Sequence, residues 1–342
     1  MMSPIDKTTI ADVAKAAGVS IATVSRAMNH RHLVKPQTAE KVFAAMQALG
    51  YELPEFTENL VNDGGLIIVN APSLDSPFYS EIMKGATTSA SRHGYHLLIH
   101  EGPIDDTTFN SLTSLLKARQ VSGLITLNYI PPALLGKLAA AVPLVQCCEY
   151  NEDFENIPFV STDDLKSTKM VMDHIFSTGR RQIAFLSGPL NYKYTRQRKK
   201  EYLRSLENVG IEPNPNWIVH LPMINFDIAF SAATQLLRSA NPPDAIFTVS
   251  DLCAAAVIKA AHQLELNVPD DLVVTGFDNV DISVMTSASI TTVNLPRFQL
   301  GFIACDFLVE LIGNPQAASQ GMLLPTELIS RESTQVKNVT FN

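Results

Sequence analysis

The stretch "TTIADVAKAAGVSIATVSRAMN", Thr8–Asn29, contains two short helical patterns on either side of a glycine. Thr9 precedes the first pattern and suits the N-cap of a helix. Gly18 suits the left-handed residue that ends a helix, and Ser20 can cap the second helix through its hydroxyl. A third helix is predicted to begin at Pro36, a favoured first-turn residue. Three helices in fifty residues, the first two joined by a tight turn, predict a helix-turn-helix unit.

The second of these helices has the features of a helix that enters the major groove of DNA. Such a helix presents a polar N-terminal end to the base edges and phosphates. We expect Ile21 and Ala22 to contact bases and Arg26 to reach a guanine or a phosphate. The remaining candidates for DNA contact are Thr9, Ser20, Thr23, Ser25, Asn29 and Thr38. The alternative interpretation is a small helical hairpin with a solvated polar face.

Composition and charge limit which part of the chain can bind a polyanion. The 342 residues are 46% hydrophobic and 18% charged, which predicts two to three folded units rather than a disordered chain. The net charge of −8 argues against nucleic-acid binding by the whole surface. Residues 1–50, however, hold six Lys and Arg against three Asp and Glu. Only the N-terminal unit is therefore expected to contact DNA.

Other sequence signals argue against export, membrane insertion and catalysis. The four cysteines, which have no CxxC spacing, are expected to be free thiols rather than metal ligands or disulfides: Cys147, Cys148, Cys253 and Cys305. No apolar run reaches about 18 residues, and the N-terminus lacks the apolar core of a signal peptide. Phosphate-loop, nucleophile-elbow, dinucleotide-binding and zinc-helix motifs are all absent. We expect a cytoplasmic protein without a cofactor, a metal site, a membrane partner or enzymatic activity; an exported solute-binding protein is the alternative.

From Leu66 onward, apolar strand patterns alternate with helical patterns. The strand patterns include "LIIVN", "GLITLN", "AIFTVS" and "LVVTGF". This alternation is typical of α/β folds with parallel sheets covered on both faces. The run divides near 161–164, which predicts two doubly wound lobes, with chain crossings in "TTVNLP" and "LLPTELIS". Because ligands of open parallel sheets bind beyond the carboxyl ends of the strands, we expect a binding cleft between the lobes.

The N-terminal stretch, followed by "VKPQTAEKVFAAMQALGY", resembles the headpiece of the LacI/GalR family of bacterial repressors. The segments "DSPFYSEIMKGATTSASRHGYHLLI" and "FTVSDLCAAAVIKAAHQLELNVPDDLVVTGFDN" resemble its effector core, which is of the periplasmic-binding-protein type. The resemblance implies a homodimeric repressor on a palindromic double-stranded operator, controlled by a small-molecule effector. It implies a headpiece at 1–51, a hinge linker at 52–65, an N-subdomain at 66–162 and 296–323, and a C-subdomain at 163–295 and 324–342.

The linker leaves two possibilities open. In the family this stretch forms a hinge helix that inserts a leucine into the minor groove, and Leu60 stands at the matching position. Yet the linker carries Glu52, Glu55, Glu58 and Asp63 and no basic residue, so its carboxylates would repel phosphates. It is either a DNA-intercalating hinge or a flexible tether for a semi-independent headpiece.

The resemblance also implies positions for effector contacts. Phe78 and Tyr79 would flank the effector, Arg198 would grip its polar groups, and Asp278 would accept hydrogen bonds from it. Further candidates lie at positions where this chain departs from the family's usual residues or adds aromatic rings: Cys148, Glu149, Tyr192, Tyr194 and Ile224. Aromatic lining favours a planar group, and the motifs are most similar to a nucleoside-responsive member of the family. We therefore expect a nucleoside-type effector, with a sugar effector or a lost response as alternatives.

Overall fold

The computed structural model describes residues 10–20, 23, 24, 27, 35–49, 65–315 and 321–335, and the chain divides into two compact units at 1–63 and 64–342. In the first unit, α1 is Ile10–Ala17 and α2 is Pro36–Ala48. Gly18 follows α1 with a φ of +66°, as the sequence predicted. Thr23, Val24 and Ala27 have helical backbone between these two helices.

The predicted cap of the intervening helix is confirmed. The backbone N–H of Thr23 donates to Ser20 Oγ over 3.1 Å, and the N–H of Val24 donates to the Ser20 carbonyl over 3.0 Å. One small core holds the segments together, and its buried members are Val13, Ala14, Val24, Ala27, Val42, Ala45 and Met46. Since these apolar side chains come from all three segments, their burial stabilises the predicted arrangement.

The second unit contains two sheets, and the first belongs to what we call the N lobe. Its strands, in the order β11–β5–β4–β3–β1–β2, are all parallel. The strands are β1 Leu66–Ala71, β2 His96–Glu101, β3 Val121–Thr126, β4 Leu144–Cys147, β5 Phe159–Thr162 and β11 Gly321–Leu324. The helices of this lobe are α3 Pro77–Arg92, α4 Phe109–Ala118, α5 Pro132–Ala141 and α10 Arg297–Gly313.

The second sheet belongs to the C lobe and has the order β12–β10–β9–β8–β6–β7. It is parallel except for β12, which pairs antiparallel with β10. The strands are β6 Ile183–Ser187, β7 Ile218–His220, β8 Ala245–Thr248, β9 Val273–Asp278, β10 Thr291–Asn294 and β12 Glu327–Ile329. The helices are α6 Asp164–Ser177, α7 Lys193–Asn208, α8 Phe226–Leu237 and α9 Asp251–Gln263.

The central strands are buried along their length because helices cover both faces of each sheet. All residues of β6 and β8 are buried, and Phe185 stacks on Phe247 with ring centroids 4.8 Å apart. Such strands read as continuous apolar runs, which is why the sequence predicted them. The chain crosses between lobes after β5, after β10 and after β11. Leu324 pairs with Thr162 in the N-lobe sheet, one residue past the boundary predicted at 323.

Two glycines bring α3 and α10 into backbone contact. A Cβ at Gly85 would lie 2.0 Å from the carbonyl oxygen of Phe298, and a Cβ at Gly301 would lie 1.9 Å from that of Ile82. No side chain fits at either position, so the helices can cross this closely only with glycine there. The crossing fixes the beginning of α3, where Phe78 and Tyr79 lie. Within the described part of the chain, no helix is both long and apolar enough to cross a bilayer.

Candidate functional site: a cleft between the lobes

The candidate effector residues come from segments that follow strands at the carboxyl edges of both sheets. Phe78 and Tyr79 begin α3 after β1, and Cys148 and Glu149 follow β4. The remaining residues come from the C lobe and lie at the beginning of α7, before α8 and at the end of β9: Tyr192, Tyr194, Arg198, Ile224 and Asp278. Parallel strands of one sheet present these ends at the same edge, which is the usual ligand site of such sheets.

Tyr79 lies among several of the predicted effector residues. Its phenol has a pKa raised well above its ordinary value, first because burial desolvates it. The groups that add to this rise by electrostatic interaction are Tyr194, Tyr192, Cys148 and Asp278. Phe78, whose ring centroid is 5.1 Å from that of Tyr79, packs against the apolar cores of both lobes. The structure therefore brings Tyr79 together with residues from the N lobe and from the C lobe.

Tyr192 and Tyr194, at the beginning of α7, form with Tyr79 a surface that we call the aromatic wall. The ring centroids of Tyr192 and Tyr194 lie 5.3 Å apart, and the ring of Tyr129 lies 6.4 Å from Tyr192. Ile224 lies beside Tyr194, because a Cβ at Gly188 would be 3.2 Å from both Ile224 Cδ1 and the Tyr194 hydroxyl. The wall is thus formed by aromatic and aliphatic side chains.

Three non-glycine residues at the strand ends have a positive φ: Cys148 at +66°, Asp278 at +104° and Asn279 at +53°. Residues other than glycine rarely adopt a positive φ, and backbone strain of this kind concentrates at functional sites. Arg331 holds the turn after β9, since its guanidinium donates to Asn279 Oδ1 over 2.7 Å. The strained turns thus fall at two of the candidate effector residues, Cys148 and Asp278.

The surroundings of the Asp278 carboxyl group favour its protonated form. Burial is the first cause that raises its pKa well above the ordinary value, and the nearby carboxyl of Asp251 adds to it. Arg198 and Arg297 oppose the rise. Asp251 itself, at the beginning of α9, has a pKa raised to about 7, mainly by burial. Asp278 can therefore share a hydrogen bond with a ligand near neutral pH, whereas Asp251 is fully buried and accepts from the Val280 N–H over 2.8 Å.

Arg198 is fully engaged by the protein. Its Nε donates to Asp164 Oδ1 over 2.9 Å, and its Nη1 donates to the Val249 carbonyl over 2.8 Å. The guanidinium carbon lies 3.4 Å from the ring centroid of Phe277 and 5.0 Å from that of Tyr194. Arg198 therefore supports the C-lobe side of the cleft, and its direct contact with the effector stays a prediction.

Lys193 and Asp164 were missed by the sequence analysis, and they complete this cluster. Lys193 Nζ lies 2.9 Å from Asp164 Oδ2, and the side chains are only 1% and 3% exposed. Burial raises the pKa of Asp164, but the neighbouring Lys193 and Arg198 together lower it below the ordinary value. Asp164 directly follows the strand-end region of β5, so its position at a sheet edge was an available signal. The two basic residues share one buried carboxylate.

Glu149 connects the lobes. Its Oε1 accepts a hydrogen bond from the backbone N–H of Lys193 at the beginning of α7. Burial raises the pKa of this carboxyl to about 7, partly offset by Lys193. Two further bonds cross between the lobes: the Tyr192 hydroxyl donates to Asn128 Oδ1 over 2.9 Å, and Gln197 Nε2 donates to Glu152 Oε1 over 2.7 Å. The lobes are therefore linked across the cleft.

Cys148 is a free thiol in this site, with its Sγ 3.8 Å from the Sγ of Cys147. Its pKa is raised well above the ordinary value, first by that hydrogen bond and then by burial. The thiol therefore stays neutral near pH 7 and contributes shape and weak hydrogen bonding rather than a nucleophile.

A cavity of about 250 Å³, which we call the outer pocket, lies beside the aromatic wall. It is formed by the loops after β3 and β4 and by the segment that leads into α7. Its lining residues are Asn128, Tyr129, Ile130, Pro132, Gln146, Glu149, Tyr150, Asn151, Glu152, Asp153, Asn191 and Arg196.

In the headpiece, the described candidates for DNA contact are accessible. Ser20 is exposed, and Thr23 and Thr38 are partly exposed, whereas Val24 and Ala27 are buried. The polar side of the second helix thus faces away from the headpiece core at these positions. The other candidates lie outside the described residues: Thr9, Ile21, Ala22, Ser25, Arg26, Asn29 and Leu60.

Comparison with known proteins gives matches for both units. Residues 9–53 match the family of bacterial regulatory proteins, lacI family, and residues 172–334 match the periplasmic binding protein-like domain. The chain is 30% identical to the HTH-type transcriptional repressor CytR of Escherichia coli (strain K12) over 330 residues, which cover 96% of each protein.

Two solved structures of transcriptional regulators also match this chain over most of its length. The lac repressor dimer bound to operator and the anti-inducer ONPF is 26% identical, with a TM-score of 0.72 over 96% of this chain and 99% of that one. The transcriptional regulator CelR in complex with cellobiose is 26% identical, with a TM-score of 0.73 over 95% of this chain and 99% of that one.

Proposed function

Because the chain belongs to the LacI family of bacterial transcriptional regulators, we propose that a small planar effector between its lobes controls how tightly its headpieces bind operator DNA. The chain combines a LacI-type helix-turn-helix domain with an effector-binding core. Its relatives are transcriptional regulators rather than enzymes, so we propose no catalytic step. Regulation of operator DNA would take place in the cytoplasm.

The observation that carries this proposal is the cluster around Tyr79. Tyr79 of the N lobe interacts electrostatically with Tyr194 and Asp278 of the C lobe, so one ligand beside it can contact both lobes at once. A ligand that binds one arrangement of the lobes more tightly shifts the population toward it. Its effect on operator affinity equals that differential binding energy, typically about 1–3 kcal/mol.

We propose a nucleoside-type effector. The aromatic rings of Phe78, Tyr79 and Tyr194 offer faces and edges for a planar base. Asp278, which has no hydrogen bond to its carboxyl from the described residues, offers an acceptor for an amino group or a hydroxyl. A sugar is the alternative class, because the similar regulator CelR was solved with cellobiose.

We also propose that two copies act together on a palindrome. One helix-turn-helix unit reads too few base pairs for specific binding, and the lac repressor was solved as an operator-bound dimer. The helix α9 is not a candidate for the dimer face, since nine of its thirteen residues are buried. Better candidates are exposed apolar residues of β2 and of the turn after β9: Leu98, Ile99, Val284 and Met285.

The experiment is a measurement of operator affinity. A duplex selected from random sequences is labelled, and its Kd for the full-length protein is measured by fluorescence anisotropy with cytidine, uridine, adenosine, ribose or cellobiose. We expect a nucleoside to change the Kd by about fivefold or more. A response to the sugars alone would replace the nucleoside assignment. Failure to select any duplex above non-specific binding would contradict the proposed function itself.

A further inference from the structure

Cys147 and Cys148 are consecutive cysteines at the end of β4, and their thiols lie next to each other. Their Sγ atoms are 3.8 Å apart, and both cysteines are free. Consecutive side chains of a strand normally point to opposite faces of the sheet. The φ of Cys148, +66°, ends this alternation, and the N–H of Glu149 closes a tight turn by donating to the Cys147 carbonyl over 2.8 Å. The turn therefore presents the two thiols as one pair.

Contacts with the neighbouring strand hold this turn in place. The N–H of Cys148 donates to the Val160 carbonyl over 2.8 Å, and the Ser161 hydroxyl donates to the Cys148 carbonyl over 2.6 Å. Val160 and Ser161 belong to β5, so the backbone of the pair is anchored to the sheet. A pair whose backbone is fixed in this way loses little conformational freedom when both thiols bind one atom.

The spacing of the pair suits a bridging atom better than a disulfide. The Cα atoms of consecutive residues are about 3.8 Å apart, which is below the range of about 4.4–6.8 Å usual in disulfides. Two sulfur atoms that are each bound to one tetrahedral centre at about 2.3 Å stand about 3.8 Å apart. The two thiols thus have the separation that a single thiophilic atom requires.

The surroundings favour an atom that needs only two protein ligands. Among the described residues, no group of three or more His, Cys, Asp and Glu side chains could hold a metal ion, so the four ligands usual for structural zinc are not brought together there. Trivalent arsenic meets this condition, because it binds two thiols and keeps a third substituent of its own. Cys147 is buried and Cys148 is partly exposed. An arsenical therefore meets Cys148 first, and Cys147 then closes the ring as an intramolecular reaction.

We propose that Cys147 and Cys148 together bind trivalent arsenic compounds as a vicinal dithiol. In the reaction, two arsenic–oxygen bonds of a dihydroxy arsenical break and two arsenic–sulfur bonds form. Each thiol proton leaves with one hydroxyl group as water, so the arsenic stays trivalent and no oxidant is needed. The reaction consumes neutral thiols, which is the state that burial favours for Cys148 near pH 7.

Occupancy of the pair also alters the proposed effector site. Cys148 is one of the predicted effector contacts and interacts electrostatically with Tyr79. A bound arsenic and its third substituent change the shape of the site at Cys148, so we expect the nucleoside response of operator binding to be lost. This second expectation rests on the proposed function, whereas arsenic binding itself does not.

The test treats the reduced full-length protein with phenylarsine oxide, whose hydrate carries the two hydroxyl groups, in excess glutathione, a monothiol. Intact-mass spectrometry should show one arsenical per chain, which is lost when 2,3-dimercaptopropanol is added, because only a dithiol competes with a dithiol. Two of the four cysteines should be blocked against a maleimide in urea. No adduct, an adduct that glutathione displaces, or four reactive cysteines would overturn the proposal.

Single variants locate the site. Cys147→Ser and Cys148→Ser each leave one thiol of the pair, and each should weaken arsenical retention by roughly a hundredfold or more, because the second thiol acts at high effective concentration. Cys253→Ser and Cys305→Ser remove buried cysteines elsewhere and are the matched controls, which should bind as wild type does. An adduct retained in Cys148→Ser would contradict the assignment. Arsenic binding by a protein whose operator affinity responds to no nucleoside would count against the proposed function alone.

Discussion

The N lobe and the C lobe share one order of strands but line the cleft with different chemistry. The sheets correspond strand for strand, each ending in a crossover strand at one edge. The N lobe contributes Phe78, Tyr79 and Cys148, which are uncharged near neutral pH, and the buried carboxyl of Glu149. The C lobe contributes a buried charge cluster centred on Asp164, together with the carboxyl of Asp278. Both lobes therefore contribute aromatic rings and a buried carboxyl group, but the cluster of paired charges around Asp164 lies in the C lobe.

The largest change in the free energy of unfolding is expected when the buried charge cluster of the C lobe is broken. Asp164→Ala leaves the ammonium of Lys193 and the guanidinium of Arg198 buried without their carboxylate. Breaking a buried ion pair in this way costs about 3–5 kcal/mol, measurable by urea unfolding. Asp173→Ala on the same helix removes an exposed pair with Lys169 and should cost about 1 kcal/mol or less. Equal losses in the two variants would contradict the assigned role of Asp164.

A smaller loss of stability is expected in the N lobe, where the position of Phe78 and Tyr79 depends on the close crossing of α3 and α10. Gly301→Ala places a Cβ 1.9 Å from the Ile82 carbonyl oxygen, so the helices must separate. We expect a loss of about 1–3 kcal/mol in the free energy of unfolding, together with weaker effector binding because the start of α3 moves. Gly313→Ala in the same helix meets no atom within 4 Å and is the control. A stability loss no greater than that of the control would refute the close crossing.

These two sites also illustrate what the sequence could and could not predict. The alternation of strands and helices, the Ser20 cap and the positions of Tyr79 and Asp278 follow from local pattern or from family resemblance. The pairing of Asp164 with Lys193 and Arg198 does not, because it joins α6 to α7 through three-dimensional packing alone. For the same reason, the contacts of the Arg198 guanidinium with the Val249 carbonyl and the Phe277 ring could not be predicted from the sequence.

A smaller, pH-dependent change in stability is expected for Glu149, which joins the two lobes. In the fold, burial raises the pKa of Glu149 from 4.5 to about 7. Between these values the folded chain binds more protons than the unfolded chain, so this group lowers the free energy of unfolding as pH rises. Glu149→Gln removes the effect and should gain stability relative to wild type by at most about 1.4 kcal/mol per pH unit between pH 5 and 7.

Urea unfolding at several pH values checks this expectation. The difference between wild type and Glu149→Gln isolates the one carboxyl, because the other titrating groups, including His174 and Asp251, are common to both proteins. A difference between wild type and Glu149→Gln that does not change with pH would mean that Glu149 is not buried as described.

The central claim is that what binds between the lobes sets the affinity for operator DNA. The most direct measurement is the operator Kd of wild type and of Asp278→Asn, each with and without the nucleoside that acts on wild type. Asp278 lies in the cleft and not in the headpiece, so the variant should bind bare operator within about twofold of wild type and lose most of the nucleoside response. An unchanged nucleoside response in Asp278→Asn would contradict the account.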